Sequence, residues 1–174
     1  MQERLIVDGY NMIGAWPQLN YLKQQGDIEG ARDLLLEELS DYVAYEGIET
    51  WVVFDAQFVP GLSKSYDKYN CHVVFTAEGE TADSYIEAMI KDTIGVLRTV
   101  TVATSDLAEQ RLIFQQGAIR KSARELLHDV EFTHKTIREG DDSYHQSGYK
   151  RHVPWSYLQL EQLKGLLDHL SKDD

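Results

Sequence analysis

Three times in this chain a short apolar, β-branched run closes on an aspartate. Leu5-Ile6-Val7 stops at Asp8, Trp51-Val52-Val53-Phe54 stops at Asp55, and Thr99 to Ala103 leads through Thr104-Ser105 to Asp106. Apolar runs of this length suit strands buried on both faces of a parallel sheet. Helical patterns stand between them, in the order strand, helix, strand, strand, helix, strand, helix. That order implies an α/β fold with a mostly parallel central sheet and helices on both faces. In open sheets of this kind ligands bind just past the carboxyl ends of the strands, which is where these acids fall.

The stretch Leu5 to Gly14 is the centre of the chain. Gly9 follows Asp8 at once, and a residue without Cβ permits a sharp turn or a close ligand. Tyr10 and Asn11 then present an aromatic face and an amide beside Asp8. Asp-Gly alone is also a common turn. The recurrence of acids at later strand ends is what favours a functional reading.

Asp27 is an N-cap candidate for a helix running to about Glu46, with Ala31, Leu34, Leu35, Leu39, Tyr42 and Val43 at helical spacing and Gly47 as its stop. Ala56 to Asn70 is polar and reads as a loop near the site. His72 to Phe75 is a further strand. Thr81 caps the next helix and places Asp83 in its first turn. Asp83 lies three residues before Ile86, on the side marked by Ile86, Met89, Ile90 and Ile94, so it is expected to point into the crevice at the sheet edge. Asp106, with Glu109, opens a helix to about Gln115. Ser122 and Glu125 form a capping box for a helix continuing toward Ile137. Arg120, Lys121 and Arg124 surround that helix start, where free amides and cations make a phosphate site. Glu139 to His152 lacks periodicity, and Ser156 opens a final amphipathic helix with Leu160, Leu163, Leu167 and Leu170 on one face. The expected organisation is an α/β domain over residues 1–138, with residues 139–174 packing on it.

The net charge of −12, from 17 basic and 29 acidic residues, argues against a general nucleic-acid coat protein. The segment from Gln110 to Arg124 nevertheless contains no acid and four cations. One cysteine, Cys71, excludes an internal disulfide and suits the reducing cytoplasm. No apolar run is long enough to span a membrane, so no membrane association is expected.

Asp8, Asp55, Asp83 and Asp106 gathered at one sheet edge raise one another's pKa, and a hard divalent cation relieves this. Mg²⁺ or Mn²⁺ takes oxygen ligands and can activate water against a phosphodiester. The P-loop spacing is missing, the glycines of the first loop do not give the dinucleotide fingerprint, and Tyr10 stands where an aspartyl-phosphate phosphatase would want a second acid.

Five blocks in order, Val7 to Pro17, Val53 to Ala56, Glu80 to Asp83, Ala103 to Asp106 and Gln116 to Leu126, resemble the YacP-like branch of the NYN domains. The resemblance implies a PIN-like three-layer sandwich and endonucleolytic RNA cleavage with Mg²⁺ or Mn²⁺. For this branch it implies cleavage of mRNA in the ribosomal A site, with no DNA substrate. Carried over by motif, Asp8 and Asp83 are the foremost catalytic residues, supported by Asp55, Asp106 and Asn11. Asp8, Asp83 and Asp106 are the metal ligands, and Arg120, Lys121, Arg124, Tyr10 and Ser105 meet the substrate. A metal-dependent phosphohydrolase of small nucleotides and an inactive ribosome- or RNA-binding adaptor remain as alternatives.

Overall fold

A computed structural model of the chain describes residues 2–55, 65–94, 98–106 and 117–139. In chain order these form β1 (Gln2–Asp8), α1 (Gly9–Ala15), α2 (Pro17–Gln24), α3 (Ile28–Glu46), β2 (Glu49–Phe54), β3 (Ser65–Lys68), β4 (Cys71–Phe75), α4 (Ala82–Thr93), β5 (Arg98–Ala103), β6 (Ile119–Lys121) and α5 (Ala123–Arg138). The strands make one sheet in the order β3-β4-β2-β1-β5-β6. All neighbours run parallel except β3, which pairs antiparallel with β4. The α/β architecture expected from the strand and helix pattern is the one observed.

Strand parity divides the core. Leu5, Val7, Val52, Phe54, Val73 and Phe75 face α1, α2, α3 and α5 in one apolar layer, together with Met12, Leu35, Leu36, Leu39 and Leu126. Ile6, Val53, Val100 and Val102 face the other way and pack against Ala82, Ile86 and Ile90 of α4. Each fully buried Leu, Ile or Val contributes roughly 1.5–3 kcal/mol. Both faces of β1 are therefore sealed, and β1 sits between β2 and β5 at the middle of the sheet.

α3 runs from its Asp27 cap, whose side chain accepts from the Gly30 N–H, to Gly47 in the left-handed conformation at φ 67°. Ala31, Leu35, Leu39, Tyr42 and Val43 are buried as expected, with Leu36 in the stripe in place of Leu34, which is only partly buried. In α4 the expected stripe ends early. Ile94 leaves the helix as an extended C-cap and is 37% exposed.

Three elements differ from the sequence reading. The loop expected after β1 is two short helices: Asp8 caps α1, and Trp16, extended between them, lets Pro17 start α2 at the position that lacks a needed N–H. Part of the expected 56–70 loop is β3, turned onto β4 by Tyr69 and Asn70, both at positive φ. Two such residues match a two-residue hairpin turn without the usual glycine, and the Lys68 ammonium lies over the Tyr69 ring. Finally, β6 was hidden in the segment before α5. The helix expected after Asp106 and the final amphipathic helix lie outside the described residues.

Gly9 is required by packing. A Cβ placed there would lie 2.3 Å from the Phe54 ring. Gly9→Ala is expected to lower stability by about 1–3 kcal/mol through overpacking, measured by denaturant unfolding. Phe54→Leu in the same chain should recover part of the loss, and an alanine variant as stable as the parent would show that Phe54 does not set this contact.

Candidate active site

The sheet brings three acids to one edge through its register. Asp8 ends the central strand opposite Val53, so Asp55, two residues further along, comes just beyond it. Val7 pairs with Ala103 on the other side, which sets the Thr104-Ser105-Asp106 segment past the end of β5. Asp83 arrives by a different route. The Asp55 carboxylate accepts from the Ala82 N–H at 3.3 Å and so holds the start of α4 against the end of β2. Thr81 accepts from the Ser84 N–H as the N-cap, leaving Asp83 exposed in the first turn.

A chain of hydrogen bonds fixes the loops around these acids. Asp8 Oδ1 accepts from the Asn11 N–H at 3.2 Å. Asn11 Oδ1 accepts from the Ser105 N–H at 2.8 Å. Ser105 Oγ accepts from the Ala123 N–H at 3.0 Å, and the Asp106 N–H donates to Thr104 Oγ1. Asn11 and Ser105 thereby link β1, the β5 end and α5. The Asn11 carbonyl oxygen is engaged by a backbone amide, and its NH₂ group carries two further donors.

The electrostatics follow from this assembly. Burial pushes the Asp8 carboxyl up to about 6, and the charges of Asp83, Asp106 and Asp55 add to the rise, while the Asn11 N–H opposes it. Asp83 is raised by burial and by Asp106 and Asp55. Among the described residues, the groups that act on either acid include no lysine or arginine. The donors are all oxygen, which suits Mg²⁺ or Mn²⁺. Among the described residues no three carboxylates, histidines or thiols stand close enough to cage one ion directly. Mg²⁺ keeps several waters and takes only one or two carboxylates, so acids spaced around a cleft fit it better than an all-protein cage would.

The expected substrate residues separate into two groups. Tyr10 lies at the cleft, edge-on to Phe54 with ring centroids 5.2 Å apart. Ser105 lies beside Asp106. Arg120, Lys121 and Arg124 stand at the start of α5, but three of the amides there are already partnered: Glu125 and Ser122 form the capping box, and Ser105 takes the Ala123 N–H. Lys121 bonds Asp129 at 2.6 Å and Tyr42 at 3.3 Å. Burial opposes its charge, yet Tyr42 and Asp129 hold its pKa above the ordinary lysine value. Lys121 is thus a tie between β6, α3 and α5, a role that spacing alone did not reveal. Arg120 and Arg124 are exposed, with Arg120 3.8 Å from Glu125. One cation near the cleft was missed: Arg32 of α3 donates to the Tyr10 hydroxyl at 3.2 Å. A lone arginine within an amphipathic helix carries no signal in sequence.

The YacP-like NYN domain family matches residues 5–168, which takes in most of the segment after Arg138. An uncharacterised protein, YacP, of Bacillus subtilis (strain 168) is 50% identical over 133 residues, covering 76% of this chain and 78% of that protein. Two crystal structures of Rae1 (YacP) from Bacillus subtilis are similar throughout. One, of a tryptophan-to-leucine mutant, superposes with a TM-score of 0.71 at 38% identity, over 95% of this chain and 99% of that one. The other gives 0.69 at 41% identity, over 97% and 92%.

Two measurements follow from the geometry. With EDTA present, Asp8→Asn is expected to be more stable than the parent at pH 7.5 by about 1–3 kcal/mol, since asparagine keeps the cap and removes a repelled charge. A carboxyl raised on folding favours the fold below its unfolded value of 3.8 and loses that contribution as pH rises through about 6. The gap between variant and parent should therefore close as pH falls from 7 to 4, and a gap that widens instead would rule out a repelled Asp8. Separately, Lys121→Ala should destabilise by about 1–3 kcal/mol by stranding Asp129, whereas Arg120→Ala should stay within about 0.5 kcal/mol. Equal thermal shifts for the two would contradict the distinction.

Proposed function

Because the chain belongs to the YacP-like NYN domain family, we propose that it is a divalent-metal-dependent endoribonuclease that cuts mRNA in the ribosomal A site. The observation that carries the reading is the meeting of Asp8, Asp55, Asp83 and Asp106 at the carboxyl edge of the sheet, where burial and the neighbouring acids raise Asp8 and Asp83. A binding adaptor has no use for repelled acids, whereas a hydrolase holding Mg²⁺ or Mn²⁺ does.

Asp8, Asp83 and Asp106 are the residues that would hold the ion, in part through its own water ligands, and it would there polarise a water and offset charge on the departing oxygen. Asp55 anchors α4 and so keeps Asp83 in place. Asn11 fixes the Ser105-Asp106 segment through its oxygen, and its NH₂ donors suit a phosphate oxygen. Tyr10 and Ser105 border the same opening and position the strand. Arg120 and Arg124 lie further out, at the start of α5, and contact phosphates away from the cut.

The charge of −12 supports the ribosomal part of the reading. Free RNA is repelled at long range, and a docked complex supplies the missing affinity through many small contacts and a high local mRNA concentration. Such a role belongs in the cytoplasm. Cys71 fits a reducing compartment as an inert core residue, its thiol buried and pushed up to about 12.

One mRNA, presented free and in a translating complex at equal enzyme and Mn²⁺, provides the test. The parent should cut the ribosome-bound message at defined sites and the free strand poorly, and Asp83→Asn should cut neither while melting at or above the parent's temperature. Efficient site-specific cutting of the free strand would remove the ribosome requirement, and undiminished cutting by Asp83→Asn would remove Asp83 from the metal site.

A further inference from the structure

Arg32 occupies the second turn of α3, with its guanidinium held by neutral groups. Nη1 donates to the Tyr10 hydroxyl at 3.2 Å. The guanidinium carbon lies 5.6 Å from the centroid of the Phe75 ring. Phe75 stacks on Phe54 at 5.4 Å, and Tyr10 meets Phe54 edge-on. Phe54 and Phe75 are the last residues of β2 and β4, and Asp55 follows Phe54 directly. Tyr10 and Phe75 thus seat one cation beside Phe54, the residue before Asp55.

Several other cations of the described residues have counter-ions: Arg4 with Glu49, Lys68 with Asp33, Lys91 with Glu87, and Lys121 with Asp129. Arg32 pairs with no carboxylate among the described residues, and it is not among the groups that act on Asp8 or Asp83. Its partner Tyr10 stays a neutral phenol, since burial raises its pKa. A guanidinium has five N–H donors in a planar fork, and the tyrosine takes only one of them. A half-buried arginine held flat by rings, with its fork otherwise uncommitted, is built for an oxyanion that accepts two parallel bonds.

We infer that Arg32 binds a phosphodiester of the RNA strand entering this cleft, next to the phosphate that is cut, with Tyr10 setting the orientation of its guanidinium. The identity of the ligand as RNA rests on the nuclease reading above. The physical need is plain: a divalent ion offsets charge at the acids, but the neighbouring phosphate of the same strand still approaches a negative wall. One fixed cation there sets the register of the strand relative to the acids.

The test uses the full chain and a labelled single-stranded RNA oligonucleotide at low ionic strength, with Ca²⁺ in place of Mn²⁺ and the RNA checked intact by gel. Arg32→Gln should weaken binding about tenfold and reduce the log-log salt slope by about one, with the melting temperature unchanged. Arg32→Lys should restore the slope but only part of the affinity, because a point charge does not reproduce the fork. Tyr10→Phe, which keeps the ring, should weaken binding a few-fold at unchanged slope. Should Arg32→Gln melt early, the Arg32→Lys and Tyr10→Phe results decide. Parent-like affinity and slope in the Arg32 variants would overturn the inference, as would no binding by the parent at the lowest salt. A parent that binds the oligonucleotide through Arg32 yet cuts no message in a translating complex would sink the nuclease reading and leave the phosphate site standing.

Discussion

Carboxylates that repel one another must be held together by something stronger than their repulsion. In this protein the restraint is the central strand. β1 is buried on both faces and hydrogen-bonded on both edges, so Asp8 has nowhere to retreat. Its neighbours in register fix Asp55 and Asp106, and the Asp55 bond to Ala82 draws in Asp83. An interior packed at close to crystal density does not yield to charges of this size. The free energy of burying the sheet thereby sustains the raised pKa values at its edge.

The strand ends and the two long helices were legible because each depends on a local signal. Apolar runs closed by acids gave β1, β2 and β5, the Asp27 to Gly47 frame gave α3, and the Ser122-Glu125 box gave α5. What escaped depends on partners remote in sequence. β6 is three residues long with two of them exposed, and it exists because β5 offers an edge to pair with. The β3–β4 turn uses Tyr69-Asn70 in place of a glycine pair, so its dipeptide does not announce a hairpin. Lys121 read as a phosphate ligand because Asp129, eight residues on and across a helix turn, was not visible as its partner. The likeness to the family and its crystal structures bears out the fold, and the acids keep the placement that their strand-end positions implied.

The site is also more coupled than its set of acids suggests. Asn11 accepts from Ser105, and Ser105 accepts from Ala123, so the loops carrying Asp8 and Asp106 share one path to the start of α5. The positive residues divide accordingly: Lys121 is committed to holding α5 against α3, and Arg32 is seated by rings on the opposite wall. Cations that hold the fold are paired with acids, and the cation facing the cleft is held by neutral groups.

The Trp16 indole N–H donates to the Ala123 carbonyl across 107 residues, and β1 pairs with a strand that begins almost a hundred residues later. A ribosome delivers the chain from its N-terminus, so Asp8, Asp55 and Asp83 emerge while the surfaces that organise them are still unmade. The first strand synthesised is the middle strand of the finished sheet and waits for β5 to occupy its second edge. The acidic edge is therefore complete only when β5 has paired with β1 and the start of α5 has met Ser105.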